Sequence, residues 1–204
     1  MHRSARRDGD ATRERLLAAA LMLYTTTGFL RTTTPALSTQ AGVAEGTIYR
    51  HFSSKEHLLN EAYRRAQRWA LGLLDAVEAD RVRRAPERLT ILARQIVDTA
   101  AADAPLVRMF FGEGQEPFLD DTSKGVAREV LNRLVSLVAM GKSDGMVRAG
   151  PAELWASVWL TIVGFVAERV AAGDWTTDSP PVTMALEAAW DAIATRLQAQ
   201  PASA

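Results

Sequence analysis

The sequence contains no cysteine. Disulfides, thiolate metal sites and cysteine nucleophiles are therefore excluded, and a reducing, cytoplasmic setting is expected. Histidine is almost as scarce. His2, His51 and His57 are the three present, so residues 58–204 cannot supply a histidine general base or a zinc ligand. No carboxylates cluster at metal-ligand spacing, and neither an enzyme nor a metal or cofactor is expected. Net charge is lacking too: Lys plus Arg is 24 and Asp plus Glu is 24. Taken as a total, that balance argues against a simple nucleic-acid binder, which carries a basic surplus. The first ten residues are polar and basic, with no apolar core of a signal peptide. The uncharged, strongly apolar run Leu154–Ala167 falls short of the roughly 20 apolar residues of a bilayer span. It reads as a buried helix, and no membrane partner is expected. Strand-like alternation over four or more residues is hard to find.

What is present is unevenly placed. Residues 1–69 hold eleven Arg/Lys against six Asp/Glu, a net +5, and the remaining 13 basic and 18 acidic residues leave residues 70–204 at −5. A basic N-terminal third on an acidic remainder points to two jobs. With 204 residues, the chain is one large domain or a small one fused to a larger one.

The apolar period is helical throughout. A first helix is expected over Asp10–Thr27, stopped by Gly28. A short one follows, with Thr34 as cap and Pro35 at its first position, ending at Gly42. Another spans Glu45–His51. Ser53 or Ser54 caps a long helix to about Arg81, Ser53 with Glu56 matching a capping box. Further helices are expected over Pro86–Ala101, from Pro105 (capped by Asp103) to Phe111, and over Thr122–Gly141, Pro151–Ala172 and Pro181–Gln198. The fold class is all-α, with about nine helices.

Thr33–Lys55 carries the most specific pattern. Two short helices flank a turn containing Gly42, and Leu37, Ala41, Val43, Ile48 and Phe52 take the inward positions. That spacing is a helix-turn-helix, whose second helix enters the DNA major groove. A plain helical turn of the same spacing is the alternative on pattern alone.

The residues Gly28-Phe29, Thr33-Thr34, Gln40-Ala41-Gly42-Val43, Gly46-Thr47-Ile48-Tyr49-Arg50-His51-Phe52 and Ser54-Lys55-Glu56 resemble the signature of TetR-family transcriptional regulators. The motif covers about residues 12–60; beyond it the chain is similar only in helix order. The resemblance implies an N-terminal three-helix domain over residues 1–55, with 1–9 as a flexible basic tail. Residues 56–204 would form a helical ligand-binding and dimerisation domain. It implies a homodimeric repressor, released from a palindromic double-stranded DNA operator by a small-molecule effector. A ligand-independent regulator and a helical interaction module are the alternatives.

Carried over by position, Thr34 and Pro35 start the helix that touches one phosphate strand. Glu45, Gly46 and Thr47 open the recognition helix and face bases. Tyr49, Arg50 and His51 reach phosphates or base edges, and Lys55 meets a phosphate. Tyr49 and His51 also have structural readings, as a packed aromatic and a satisfied histidine. Glu45 either accepts from a cytosine amino group or favours the helix dipole. The sequence departs from the family pattern at Ala44, where a capping residue is usual, and at Ser38, whose hydroxyl needs a partner such as a carbonyl one turn back.

Two further sets belong to the larger part. Trp69, Leu73, Met109, Phe110, Phe118, Trp155 and Trp159 are candidates for a pocket taking an apolar or aromatic effector; ordinary core packing is the alternative for each. Pro151–Ala172 is apolar on more than one side. Trp155, Val158, Ile162 and Phe165, with Leu186, Trp190, Ile193 and Leu197 on the last helix, are expected to form a four-helix interface across a two-fold axis.

Overall fold

The computed structural model describes residues 2–80 and 82–195. The described residues form nine α-helices: α1 His2–Thr26, α2 Thr34–Ala41, α3 Glu45–His51, α4 Lys55–Ala79, α5 Ala85–Ala102, α6 Ala104–Phe111, α7 Asp121–Ser143, α8 Ala152–Ala171 and α9 Pro180–Asp191. A 3-10 turn, Glu116–Phe118, precedes α7. The chain divides into two compact units. The first holds residues up to Leu71 together with Asp103–Glu129; the second holds Gly72–Ala102 and the residues from Val130 on. The sequence boundary at residue 55 falls inside the first unit, because α6 returns to pack on α1.

In the first unit, α1 contributes Leu16, Leu17, Ala20, Leu21 and Tyr24 to an apolar core. Leu37 and Ala41 of α2, Ile48 of α3, and Leu58, Leu59, Ala62 and Ala66 of α4 complete it, with Leu106 and Met109 of α6. Leu16, Leu37, Leu58 and Leu59 are 0% exposed. Burial of this kind, rather than propensity, holds short helices such as α2 and α3 in place.

Two helix starts differ from the sequence expectation, and a third settles between two candidates. Residues 2–9, expected as a flexible tail, are helical, and α1 begins at His2; Ala and Arg in this stretch are good helix formers. Thr33 rather than Thr34 caps α2, its hydroxyl accepting from the Ala36 N–H at 3.3 Å. Of the two serines expected as caps of α4, Ser54 takes the position, accepting from the His57 N–H at 3.1 Å.

The second unit is built on α5, α8 and α9, which pack on one another. Its buried residues include Leu89, Ala93 and Val97 of α5, Trp159, Val163 and Val166 of α8, and Val182 and Ala189 of α9. The last helix ends at Asp191, not near Gln198. There the Arg148 N–H donates to the Ile193 carbonyl and the Thr195 N–H to the Met146 carbonyl, and this bridge pulls the backbone out of the helix. The end expected at Gln198, and with it Leu197, lies outside the described residues.

Helix α8 has 20 residues, because Glu168 and Arg169 prolong it beyond the uncharged run. By length and composition alone it is long and apolar enough to cross a bilayer, which corrects the expectation that it is too short. Its Ala156, Trp159, Val163, Val166, Ala167 and Val170 are instead buried within the second unit.

Candidate nucleic-acid interface

The helix-turn-helix is set by three local devices. Pro35 lies in the first turn of α2, where its missing N–H is no loss. Gly42 adopts φ +62°, the left-handed conformation that ends α2, and the Val43 N–H closes the turn on the Ser38 carbonyl at 3.0 Å. The buried Ser38 hydroxyl donates to the Pro35 carbonyl at 2.9 Å, the partner its position requires. Ala44 starts α3 in an extended conformation with no side-chain cap, so a first-turn N–H is left for solvent or a ligand. Glu45 stands in the first turn of α3, and Arg50 and His51 in its last, all three favourable to the helix dipole.

Burial divides these helices cleanly. Ile48 and Phe52 are 2% and 1% exposed and point into the core, whereas Tyr49 is 57% exposed. Pro35, Glu45, Gly46 and Arg50 are exposed, and Thr34, Thr47, His51 and Lys55 are half-buried. Thr34 and Tyr49 meet across the two helices, hydroxyl to hydroxyl at 3.4 Å. A Cβ added at Gly46 would meet nothing within 4 Å, so internal packing does not require glycine there. Lys55 is differently placed. Its ammonium donates to the Phe29 and Thr32 carbonyls at 3.0 and 3.1 Å and lies 4.3 Å from the Phe29 ring centroid. It thus ties the α1–α2 loop to the start of α4. Two of its three N–H groups are committed, and one remains.

Residues beyond those named from the sequence share this surface. Ala36, Thr39 and Gln40 of α2 are exposed, opposite the buried Leu37, Ser38 and Ala41. The helical period alone marks them out.

The first unit also holds a partly buried ionic scaffold with no sequence signal as a whole, since its three parts, Arg13, residues 60–64 and residues 120–123, are far apart in the chain. Arg64, 6% exposed, donates to the Asp120 carboxylate at 2.9 and 3.0 Å, to the Ser123 hydroxyl at 2.9 Å and to Glu61 at 2.6 Å. Arg13 of α1 donates to the other Glu61 oxygen at 2.6 Å. Asn60 donates to the Phe118 carbonyl and accepts from the Asp120 N–H, at 2.9 and 2.8 Å. Burial alone would raise the Glu61 and Asp120 carboxyls. Hydrogen bonds from Arg64 and Arg13 to Glu61, and from Ser123 and Arg64 to Asp120, outweigh it and hold both below the usual carboxylate range. Conversely, Arg64 is held more firmly protonated than an ordinary arginine, its two carboxylate partners outweighing burial.

The candidate effector residues divide between the units: Trp69, Met109, Phe110 and Phe118 lie in the first, and Leu73, Trp155 and Trp159 in the second. Trp69 and Phe110 form an edge-to-face pair 5.7 Å apart, and Phe118 lies 4.8 Å from Phe29. Met109 and Trp159 are fully buried. Trp155 is half-buried, its indole N–H donating to the Ala149 carbonyl at 3.2 Å and its ring under Arg148. The first unit has a cavity of about 680 Å³ lined by Tyr63, Gln115, Glu116, Lys124 and Arg128 among others. A second, of about 410 Å³, is lined by Phe118 together with Tyr24, Phe29 and Arg31.

Of the candidate interface residues, Phe165 is 52% exposed, and Trp155, Val158, Ile162 and Trp190 are half-buried. Leu186 and Ile193 are buried within the second unit, so on α9 it is Met184, 67% exposed, that presents a large apolar side chain outward. Among the described residues, no group of three His, Asp or Glu is placed to hold a metal ion.

Comparison with known proteins agrees with this geometry. Residues 16–62 match the family described as bacterial regulatory proteins, tetR family, a segment running from the core of α1 through α2 and α3 into α4. An uncharacterised HTH-type transcriptional regulator of Mycobacterium tuberculosis is 27% identical over 146 residues, covering 72% of this chain and 68% of its own. The structure of a TetR-family transcriptional regulator protein from Vibrio parahaemolyticus is 28% identical, with a TM-score of 0.66, covering 91% of this chain and 100% of that one. A TetR-family transcription regulator from Marinobacter aquaeolei shares the fold at a TM-score of 0.79 and 20% identity, covering 94% of this chain and 100% of that one. The Gly42 turn, the buried Ile48 and the outward Tyr49 and Arg50 thus lie inside the segment that matches the tetR family of bacterial regulatory proteins, and the chain is similar over most of its length to HTH-type transcriptional regulators.

Proposed function

We propose that the protein is a cytoplasmic, homodimeric repressor that binds a palindromic operator through α2 and α3 and releases it when a small apolar or aromatic effector binds. The observation that carries the reading is the outer face of α3. Glu45, Gly46, Tyr49 and Arg50 are exposed on a helix whose Ile48 is locked in the core, and Gly46 leaves open space that packing does not demand. Such a face, rigid behind and bare in front, suits close approach to a groove. Thr34 and Pro35 open the neighbouring helix toward one phosphate strand, with Thr47, His51 and the free N–H of Lys55 at the flanks. Glu45 is the candidate for selecting cytosine.

Dimerisation is assigned to the outward face of α8, where Val158, Ile162 and Phe165 stay partly exposed, continued by Met184 of α9. A two-fold axis there would pair two recognition helices with two half-sites. The effector reading rests on the half-buried aromatics Trp69, Phe110 and Phe118 of the first unit. An effector acts only if it favours one conformer over the other.

Footprinting on DNA upstream of its own gene tests the operator reading: a protected, two-fold symmetric site is expected, and random-sequence affinity throughout would overturn it. Lys55→Met should lower the salt slope of binding by about 1; an unchanged slope assigns Lys55 to the loop alone. Mass spectrometry of small molecules released from the purified protein, followed by a mobility shift with the compound found, tests the effector reading.

A further inference from the structure

We propose that the second unit contains a binding site for a short hydroxycarboxylate, distinct from the aromatic effector candidates, on the face of α5 that meets the last turn of α4. A cavity of about 220 Å³ is lined there by Ala76, Val77 and Asp80 of α4 and its end, by Arg83, and by Arg88, Ile91 and Gln95 of α5. Positions 88, 91 and 95 follow the three-and-four spacing of one helix face, so all three side chains project to the same side. The volume equals the liquid share of about seven water molecules, room for a small organic acid but not for a drug-sized ligand.

Two of the lining residues carry buried polar atoms without partners. The Arg88 Nε–H has no acceptor and the Gln95 Oε1 has no donor among the described residues. A guanidinium offers donors and no acceptor, so a buried, unpaired Nε–H is best met by an acceptor that complements its charge, such as a carboxylate. The nearby Asp80 does not fill the role, being turned to other partners. Its carboxylate pairs with Arg83 and accepts from the Val82 and Arg83 backbone N–H groups at 3.0 and 3.1 Å. The remaining wall, Ala76, Val77 and Ile91, is apolar. One molecule meets all three demands: a carboxylate for Arg88, a short aliphatic segment for the apolar wall, and a hydroxyl that donates to Gln95. An ammonium in place of the hydroxyl is disfavoured, because Gln95 offers a neutral oxygen and the one lining carboxylate is committed.

Isothermal titration of the full-length protein with 3-hydroxybutyrate, butyrate, 1,3-butanediol, γ-aminobutyrate, acetate and phosphate tests the assignment. The expected order is 3-hydroxybutyrate first, butyrate weaker by about tenfold through the unpaired Gln95 oxygen, and no measurable heat from 1,3-butanediol. Arg88→Met should abolish binding of both acids, and Gln95→Leu should remove the preference for the hydroxylated one. Without any probe both variants should melt no lower than the parent, since each exchanges an orphaned buried polar group for an apolar one of similar size. At ten times its Kd, 3-hydroxybutyrate should raise Tm by about 3 °C in the parent and not in Arg88→Met. No binding of either acid at 10 mM (about the weakest range this titration reads) overturns the proposal. So does acetate, phosphate or γ-aminobutyrate binding as well as 3-hydroxybutyrate, or a lowered Tm of unliganded Arg88→Met. Operator binding is not involved in these measurements, so their failure leaves the DNA-binding reading untouched.

Discussion

The two units bury different things. In the first, Thr32, Ser38, Asn60, Arg64, Gln67, Gln115 and Ser123 are buried beside the apolar core; among the described residues, the second unit buries no polar side chain to that degree. Exposed large apolar side chains show the opposite bias: Val82, Leu131, Met140, Leu154, Phe165 and Met184 belong to the second unit. Polar groups with fixed donors and acceptors hold one arrangement, because any shift leaves a buried charge or carbonyl unpaired. Apolar surface accepts many partners and becomes specific only when something covers it. In the proposed reading, a unit that holds two helices to a groove is served by the first kind of interior, and one that joins a partner by the second kind of surface.

The contrast is most exposed to test at Glu61. Glu61→Gln leaves Arg64 and Arg13 short of a carboxylate and should destabilise the first unit by about 3 kcal/mol in a urea titration; a loss below about 1 kcal/mol would show that the scaffold is a surface network. Phe165→Asp, in the second unit, should instead leave the fold intact and raise the dimer Kd about thirtyfold or more, read by sedimentation at micromolar concentration. A variant that sediments as the parent does would remove α8 from the interface. Arg50→Ala should weaken operator binding roughly tenfold without changing Tm, whereas a change in Tm would give Arg50 a folding role. Ala44→Ser, supplying the absent cap of α3, should stabilise the first unit by about 1 kcal/mol.

The pH response sharpens the same comparison. Glu61 and Asp120 have folded pKa values below their unfolded ones. Their contribution is therefore fully present above the unfolded carboxylate range near pH 4 and is lost as pH falls through the folded values. Asp120 is half-exposed and screened, so Glu61 carries most of the effect. Acid titration should melt the first unit before the second, read by separate amide signals. Simultaneous loss would mean that the ionic scaffold does not set the acid limit.

Local features were legible because their causes are local. The bounds of α3, the Gly42 turn, the Asp103 cap of α6 and the Ser38 hydroxyl bonded one turn back all depend on residues within four positions. The choice between neighbouring caps was not legible. Thr33 and Thr34 are the same residue type, and only the backbone conformation at Thr33 decides which hydroxyl meets the helix. The bonds of Lys55 to the Phe29 and Thr32 carbonyls were not legible either, because nothing in its neighbourhood in sequence announces them. The end of α9 is not legible for the same reason, since the competing bonds come from residues 146 and 148.

The sequence by itself determined an all-helical chain, the helix-turn-helix and the resemblance to a family, because periodicity, turn glycines and a contiguous motif are written in neighbouring residues. Only the tertiary structure decided that Arg13, Glu61, Arg64 and Asp120 form one network, that Ile193 faces inward while Phe165 faces out, and that Arg88 and Gln95 line a single cavity. These facts depend on which helix covers which face. That is set by the mutual burial of segments distant in the chain, a property no short stretch of sequence carries.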